Sequence, residues 1–183
     1  MKITILNGNP DENDHRFEEL LNKISNMLET RGIAVQHIIL RDKTIHSCTG
    51  CWGCWVKTPG ECLFKDDSQE IRREIIHADL LIFASPLIMG FTSALLKIMQ
   101  DKMIPLVHPY IELVNNECHH VKRYDRYPKL GLIFAKEPET DSEDIRIVTD
   151  IYKRLALNMK SELIFSRSIE EPIDNLIHEI VHN

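Results

Sequence analysis

Four of the five cysteines lie close together in the sequence. Cys48, Cys51, Cys54 and Cys62 follow the pattern Cys-x2-Cys-x2-Cys-x7-Cys. Three thiolates at this spacing can reach one iron–sulfur cluster from a single loop, and the fourth thiolate completes the set of ligands. Three other interpretations stay open: a zinc site, a redox-active dithiol formed by Cys51 and Cys54, and free thiols that pack as small apolar side chains.

The cysteine count and the charge balance restrict the class of protein. The number of cysteines is odd and Cys118 stands apart, so we expect a reduced, cytoplasmic protein rather than a disulfide framework. The net charge is −6, from 22 basic and 28 acidic residues, which argues against a nucleic-acid partner. The most apolar stretch, Ala78–Gly90, is too short to span a membrane, and the N-terminus lacks the apolar region of a signal peptide.

The hydrophobic pattern predicts alternating strands and helices. Apolar runs predict strands at Lys2–Leu6, Ile33–Leu40, Asp79–Ala84, Lys129–Ala135 and Ser161–Phe165. Apolar residues at intervals of three and four predict helices between Asp11 and Gly32, from Asp66, over Thr92–Met103, over Asp144–Asn158 and after Pro172. We expect Ser85-Pro86 to end the third strand. The alternation is typical of an α/β fold, with a parallel sheet covered by helices on both faces.

The length and the strand count extend this prediction. A chain of 183 residues is expected to form a single domain over 1–183. Five parallel strands favour the order 2-1-3-4-5. Residues 104–128 are expected to form an insertion with little regular structure, because they contain Pro105, Pro109 and Pro128.

The predicted fold also indicates where a ligand should bind. In such sheets, ligands bind beyond the carboxyl ends of the strands, at the point where the strand order reverses. That point lies between strands one and three, so the loops Gly8–Arg16 and Ser85–Phe91 are the candidates, with Lys136–Asp141 alongside. The cysteine loop follows strand two. We therefore expect it to open on the same edge of the sheet.

Three stretches of the sequence resemble a known family. They are ITILNGNP at strand one, CTGCWGCW with the following GEC and KDD after strand two, and ASPLIMGFTSALLK after strand three. Together they are similar to the NAD(P)H-dependent FMN reductases of the flavodoxin-like superfamily, and more closely to the iron–sulfur flavoproteins. The resemblance runs from Met1 to about Lys102. It implies a flavodoxin-like three-layer sandwich, FMN as cofactor, NAD(P)H as reductant, and a homo-oligomer, either a dimer or a tetramer.

The resemblance also implies site residues. The first loop of the family cradles the FMN phosphate, a role that carries over to Asn9, Pro10 and Arg16. The turn after strand three wraps the flavin ring, with backbone near 134–136 beside it. That role carries over to Pro86, Leu87, Ile88, Met89, Gly90 and Phe91. The four clustered cysteines correspond to the loop that holds a 4Fe–4S cluster in the iron–sulfur flavoproteins.

The first loop departs from the family pattern. The family usually has Gly-Ser-Pro-Arg here, followed by Asn and Ser or Thr, and these groups bind phosphate at a helix N-terminus. In this sequence Asn9 replaces the serine and Asp11 replaces the arginine. Glu12 and Asp14 add two more acids where a dianion should bind. Like charges this close repel each other, although exposure and salt weaken the effect.

We therefore expect an FMN-dependent NAD(P)H oxidoreductase, or electron-transfer flavoprotein, that passes electrons to a small-molecule or protein acceptor. No catalytic acid or base is predicted, since the flavin carries the chemistry. The alternative is a flavodoxin-like binding or regulatory module that has lost FMN binding through its acidic loop. The sequence contains no Walker loop, nucleophile elbow or His-Glu-x-x-His motif, so hydrolase and kinase activities have no support.

Overall fold

The structure, a computed structural model, describes residues 1–182 and contains six α-helices and eight strands in that range. The strands are β1 (Lys2–Asn7), β2 (Ala34–Ile39), β3 (Leu80–Ile88), β4 (Phe91–Thr92), β5 (Val107–Val114), β6 (Glu117–Lys122), β7 (Lys129–Ala135) and β8 (Leu163–Ser168). The helices are α1 (His15–Glu29), α2 (Gly53–Val56), α3 (Ser68–His77), α4 (Ala94–Asp101), α5 (Ser142–Asn158) and α6 (Ile173–His182).

The central sheet has the predicted topology. Its five parallel strands follow the order β2-β1-β3-β7-β8, which is the flavodoxin-like order 2-1-3-4-5. The short strand β4 adds an antiparallel pair at the end of β3, with Leu87 opposite Thr92. The carboxyl ends of β1 and β3 are neighbours, because Asn7 pairs with Ala84. The point of strand reversal therefore lies where the sequence placed it.

Two sequence predictions for β3 and α4 were wrong at their boundaries. Ser85-Pro86 does not end β3, because the strand stays paired with β7 up to Pro86 opposite Ala135 and then pairs with β4. The following helix starts at Ala94 rather than at Thr92. Ser93 is its N-cap, and the hydroxyl of Ser93 accepts a hydrogen bond from the backbone N–H of Leu96.

The prediction that residues 104–128 have little regular structure was also wrong. They contain a β-hairpin in which β5 and β6 pair around Asn115 and Asn116, both with positive φ angles of 50° and 64°. Asparagine tolerates this left-handed conformation, which suits a tight hairpin turn. Pro109 fits within β5 because the register shifts between Val107 and Ile111, so the proline need not donate to a regular ladder.

The sheet has one apolar core on each face. Side chains of β3 alternate between them, since Leu81 and Phe83 face one core and Ile82 faces the other. Helices α3, α4 and α5 cover the first face, and α1 and α6 cover the second. Burial of each Leu or Phe side chain contributes about 1.5–3 kcal/mol to the free energy of unfolding. The two cores therefore hold the strand ends in fixed positions.

No helix within residues 1–182 is both long enough and apolar enough to cross a bilayer.

Candidate functional site

The loop after β1 is fixed closely against the residues that flank the turn after β3. The backbone N–H of Gly8 donates to the carbonyl of Ala84 at 2.7 Å, and the hydroxyl of Ser93 donates to the carbonyl of Gly8. A Cβ atom at Gly8 would lie 2.6 Å from the Cβ of Leu96, so only glycine fits. The structure therefore brings the two predicted flavin-binding segments together.

Carboxylates of the first loop accept hydrogen bonds from its own backbone. One oxygen of Asp11 accepts from the N–H of Asn13 at 2.9 Å and from the Asn13 side chain at 3.2 Å. Asp14 is the N-cap of α1 and accepts from the N–H of Phe17 at 3.1 Å. Backbone N–H groups in a loop and in the first turn of a helix are donors that can also bind a phosphate. Here Asp11 and Asp14 already accept from them, so an FMN phosphate would have to compete with these two carboxylates.

A third carboxylate, that of Glu18, also lies near this loop and is more buried. Glu18 accepts hydrogen bonds from the side chains of Asn7 at 2.9 Å and 3.0 Å, Asn9 at 3.3 Å, and Arg41 at 2.7 Å. Burial raises the pKa of Glu18, but the hydrogen bonds from Arg41 and Asn7 outweigh it, and the pKa lies below its ordinary value. Sequence reasoning missed Asn7, Glu18 and Arg41. Only the position of Arg41 just after β2, at the same sheet edge, could have indicated it.

The predicted phosphate-binding residues do not all lie together. Asn9 is buried and Pro10 is exposed. Arg16 is exposed and lines a separate open cavity with Lys23 and Ile169. Arg41, rather than Arg16, brings a guanidinium group to the loop, since it lies 3.4 Å from the carbonyl of Asn9.

The turn after β3 is exposed and presents backbone groups. Met89 and Gly90 have positive φ angles of 52° and 75°, and the side chain of Met89 is 92% exposed. A Cβ atom at Gly90 would lie 2.7 Å from Asp144. The N–H of Met89 donates to Glu137 at 2.9 Å. This exposed turn can approach the edge of a flat ring closely.

The other predicted ring-binding residues differ in their exposure. Ile88 is 41% exposed, whereas Leu87 is fully buried in the core. Pro86 is half-buried, and Phe91 is half-buried and packs against the core. The exposed residues of this segment are therefore Ile88 and Met89, whereas Gly90 is half-buried.

The four clustered cysteines line one cavity of about 60 Å³. Cys54 is buried, Cys62 is half-buried, and the other two are exposed free thiols. Within residues 1–182, no three His, Cys, Asp or Glu side chains are placed to hold a metal ion. The predicted ligands are thus neighbours, but they are not in a coordination geometry.

The shape of the cysteine loop follows from its glycine and tryptophans. A Cβ atom at Gly53 would lie 2.3 Å from the end of the Leu63 side chain, so a larger residue here would force that side chain to move away from α2. Trp55 donates its indole N–H to the carbonyl of Val107 at 2.9 Å and stacks on Trp52 at 4.9 Å. The tryptophans thus fix the loop against the β5–β6 hairpin.

A buried cation faces the cysteine cavity. Lys102 is 2% exposed, and its Nζ lies 3.2 Å from the Sγ of Cys62 and 3.0 Å from Asp66. Burial raises the pKa of Asp66, but hydrogen bonds from Ser68 and Lys102 lower it to about 2. An iron–sulfur cluster on four thiolates is anionic, so a fixed ammonium group at this place suits it. Sequence reasoning missed Lys102.

Two of the thiols have shifted pKa values. Burial, and then the nearby Cys62 and Cys48, raise the pKa of Cys54. A hydrogen bond from the backbone of Gly53 lowers the pKa of Cys51. Since the thiolate is the form that ligates and reacts, Cys51 is the more reactive of the two in the free protein.

Comparisons with known proteins identify the family of the chain. The sequence model of the NADPH-dependent FMN reductase family matches residues 1–115, and the chain belongs to this family. An iron–sulfur flavoprotein of Archaeoglobus fulgidus is 32% identical over 108 residues, which are 59% of this chain and 48% of that protein. One from Methanocaldococcus jannaschii is 34% identical over 106 residues, 58% of this chain and 53% of that protein. The chain spans about half the length of these curated relatives.

Solved structures share the fold at low sequence identity. An NADH:FMN oxidoreductase in its apo form is 15% identical, with a TM-score of 0.60 over 99% of this chain and 87% of that chain. An FMN-dependent NADH-azoreductase of Bacillus anthracis, in complex with FMN, is 13% identical, with a TM-score of 0.61 over 97% and 92%. These likenesses support the flavodoxin-like architecture.

Proposed function

We propose that the protein is an FMN-dependent NAD(P)H oxidoreductase that passes electrons to a small-molecule or protein acceptor. The observation that carries the proposal is the pair of hydrogen bonds at Gly8, which fixes the loop after β1 against Ala84 of β3 and Ser93 at the start of α4, the residues that flank the turn after β3. Membership of the NADPH-dependent FMN reductase family supports it. Bound FMN would supply the hydride and electron transfer, while the protein positions the ring and excludes other reactions.

Different residues would bind the phosphate and the ring of FMN. Asn9 and the N–H groups of the first loop would hold the phosphate. Arg41 lies beside this loop, but its charge is already paired with Glu18. The N–H of Met89 would bind a polar atom at the edge of the ring, and Gly90 would let the backbone approach it. The carboxylate of Glu137 already accepts a hydrogen bond from that N–H, so FMN would have to displace it.

The test is the visible spectrum of the purified protein, followed by thermal unfolding with and without FMN. Flavin bands, or stabilisation by about 2.7 kcal/mol at a hundredfold excess of FMN over Kd, would support the proposal. A colourless protein whose melting temperature does not change when FMN is added would refute the proposal. That result would favour the binding or regulatory module, since the carboxylates of Asp11 and Glu137 already occupy the donors.

We further propose that Cys48, Cys51, Cys54 and Cys62 hold a 4Fe–4S cluster, which would relay single electrons beside the flavin. The shared cavity and the ammonium group of Lys102 at Cys62 carry this proposal. Iron and acid-labile sulfide analysis after anaerobic purification tests it. A stoichiometric content of both is the expected result, and the absence of both would refute it.

We also propose a cytoplasmic homo-oligomer, a dimer or tetramer, built from one domain per chain. Exposed apolar side chains near the two candidate sites support this, notably Trp52, Met89 and Tyr110, which are 56%, 92% and 69% exposed. Light scattering coupled to gel filtration tests it. A strictly monomeric protein at micromolar concentration would exclude it.

A further inference from the structure

A cavity larger than the cysteine cavity adjoins the cysteine loop, and none of the functions proposed above involves it. It measures about 290 Å³ and lies between residues 59–61, α3 and the segment after β6. We name it the arginine cavity. Its charged or ionisable lining residues are Arg72, Arg73, Arg123, His77 and Glu61. With His77 neutral, three positive charges and one negative charge give a local charge of +2, in a chain whose net charge is −6.

Arg72 is a buried cation at the wall of this cavity. It is 4% exposed, and its guanidinium donates to the hydroxyl of Ser68 at 2.8 Å and to the carbonyl of Lys102 at 3.2 Å. Both acceptors are neutral. Burial lowers the pKa of Arg72, while the nearby Cys62 and the carboxylates of Asp66 and Glu61 oppose that shift, so its charge is partly balanced from inside the protein. An anion in the cavity would add to that balance.

The three guanidinium groups make no direct ion pair with a carboxylate within residues 1–182, although Asp66 and Glu61 lie near Arg72. None forms an ion pair there, whereas ion pairs are made by Arg41, Arg126, Arg146, Arg154 and Arg167. Arg123 is nevertheless held in place, because its Nε donates to the carbonyl of Pro105 at 2.9 Å. Glu61, the one acid in the lining, forms an ion pair with Lys65 at 3.1 Å. The positive charge of the cavity is therefore held in position and only partly neutralised.

Part of the wall is apolar. Ile76, Leu106 and Tyr124 line the cavity together with the arginines. Leu106 belongs to the core and is 2% exposed, so this wall is firm. At about 290 Å³, the cavity is at the lower end of the range for small-molecule sites, which begins near 300 Å³. It fits a compact ligand that has both an anionic group and an apolar body.

We propose that the arginine cavity binds a small phosphate monoester with a compact apolar or aromatic body. The planar fork of a guanidinium group matches the oxygens of phosphate, and a local charge of +2 complements a phosphate dianion. The site is distinct from the FMN loops, because residues 8–16, 85–91 and 136–141 do not line it. It adjoins the cysteine loop, since the N–H of Gly60 donates to the carbonyl of Cys54 at 2.9 Å.

Titration calorimetry with phenyl phosphate tests the proposal, with phenol as the uncharged counterpart. The titrations are run with and without FMN, because FMN is itself a phosphate monoester and could compete at the cavity, and the arginine variants assign the binding to this site. Phenyl phosphate should bind and phenol should not. R73Q and R123Q should each weaken binding about tenfold, which corresponds to about 1.4 kcal/mol. R146Q, which changes an exposed arginine on α5, should bind phenyl phosphate as the wild type does.

Two outcomes would overturn the proposal: no binding of phenyl phosphate to the wild type, or wild-type affinity in both R73Q and R123Q. Loss of folding does not confound the test, because Arg73 is exposed and R73Q should keep the wild-type melting temperature. FMN binding, measured separately on the same samples, reports on the proposed oxidoreductase function. The two proposals can therefore fail independently.

Discussion

The carboxylate of Glu137 accepts a hydrogen bond from the backbone N–H of Met89 at 2.9 Å, at the tip of the turn after β3. Met89 has a left-handed backbone, with φ of 52°, which directs its N–H outward from the sheet edge. The donor that would bind the flavin edge thus already has an acceptor. FMN affinity is therefore set by a competition within the protein.

We predict that E137A binds FMN more tightly than the wild type. A net hydrogen bond contributes about 0.5–1.5 kcal/mol, so removal of the competing acceptor should lower Kd by about threefold to tenfold. E139A, at an exposed glutamate in the same loop, is the control and should leave Kd unchanged. Flavin fluorescence quenching measures both. An unchanged or higher Kd for E137A would contradict the competition.

D11N should also tighten FMN binding. Asp11 holds the N–H of Asn13 and places a negative charge where the phosphate should bind. Because Asp11 is exposed, the gain should be about threefold to tenfold at low salt and should shrink as salt rises. D174N, at an exposed acid on α6, should not change the affinity. If the gain were the same at every salt concentration, charge repulsion would not be its cause.

D66N should destabilise the protein strongly at neutral pH. The substitution leaves Lys102 buried without its ion-pair partner, which costs about 3–5 kcal/mol. The matched control is D67N at the neighbouring acid, whose carboxylate accepts from the N–H of Thr44 in an exposed position. Denaturant unfolding should show a much smaller loss for D67N.

The pH dependence of this effect follows from the pKa of Asp66. The folded pKa of about 2 lies below the ordinary value of 3.8, so the ion pair stabilises the folded state fully above pH 3.8. That contribution is lost as the pH falls from 3.8 towards 2. The difference in unfolding free energy between wild type and D66N should narrow over the same interval. A constant difference would show that Asp66 does not act through its charge.

C54A should lose the iron and sulfide of anaerobically purified protein, whereas C118A should keep both. Cys54 lines the cysteine cavity, and Cys118 lies outside it on β6. Both variants remove one thiol, so a general effect of cysteine content would appear in both. Equal iron content in the two variants would place the metal elsewhere.

The sequence predicted the elements that depend on local pattern. Strand order and the ligand edge followed from the alternation of apolar runs with helical periodicity, and from the rule for parallel sheets. The pairing of Glu18 with Arg41 could not be predicted in this way, since the two residues are 23 positions apart and meet only when β2 lies beside β1. The same reason applies to Lys102, which reaches Cys62 across 40 positions.

The hairpin was missed for a different reason. Pro109 and its neighbouring prolines argued against a strand, but the register shift before Ile111 accommodates the ring. The Asn115-Asn116 pair was the turn signal that could have indicated it. At Pro86, pairing with β7 outweighed the local tendency of Ser-Pro to end a strand.

Helix α4 contacts both candidate redox sites through its two ends. At its start, Ser93 donates to the carbonyl of Gly8, and at its end, the side chain of Lys102 reaches Cys62. Eight residues of α-helix span about 12 Å. One short helix therefore fixes the first loop and the segment that carries Cys62 relative to each other.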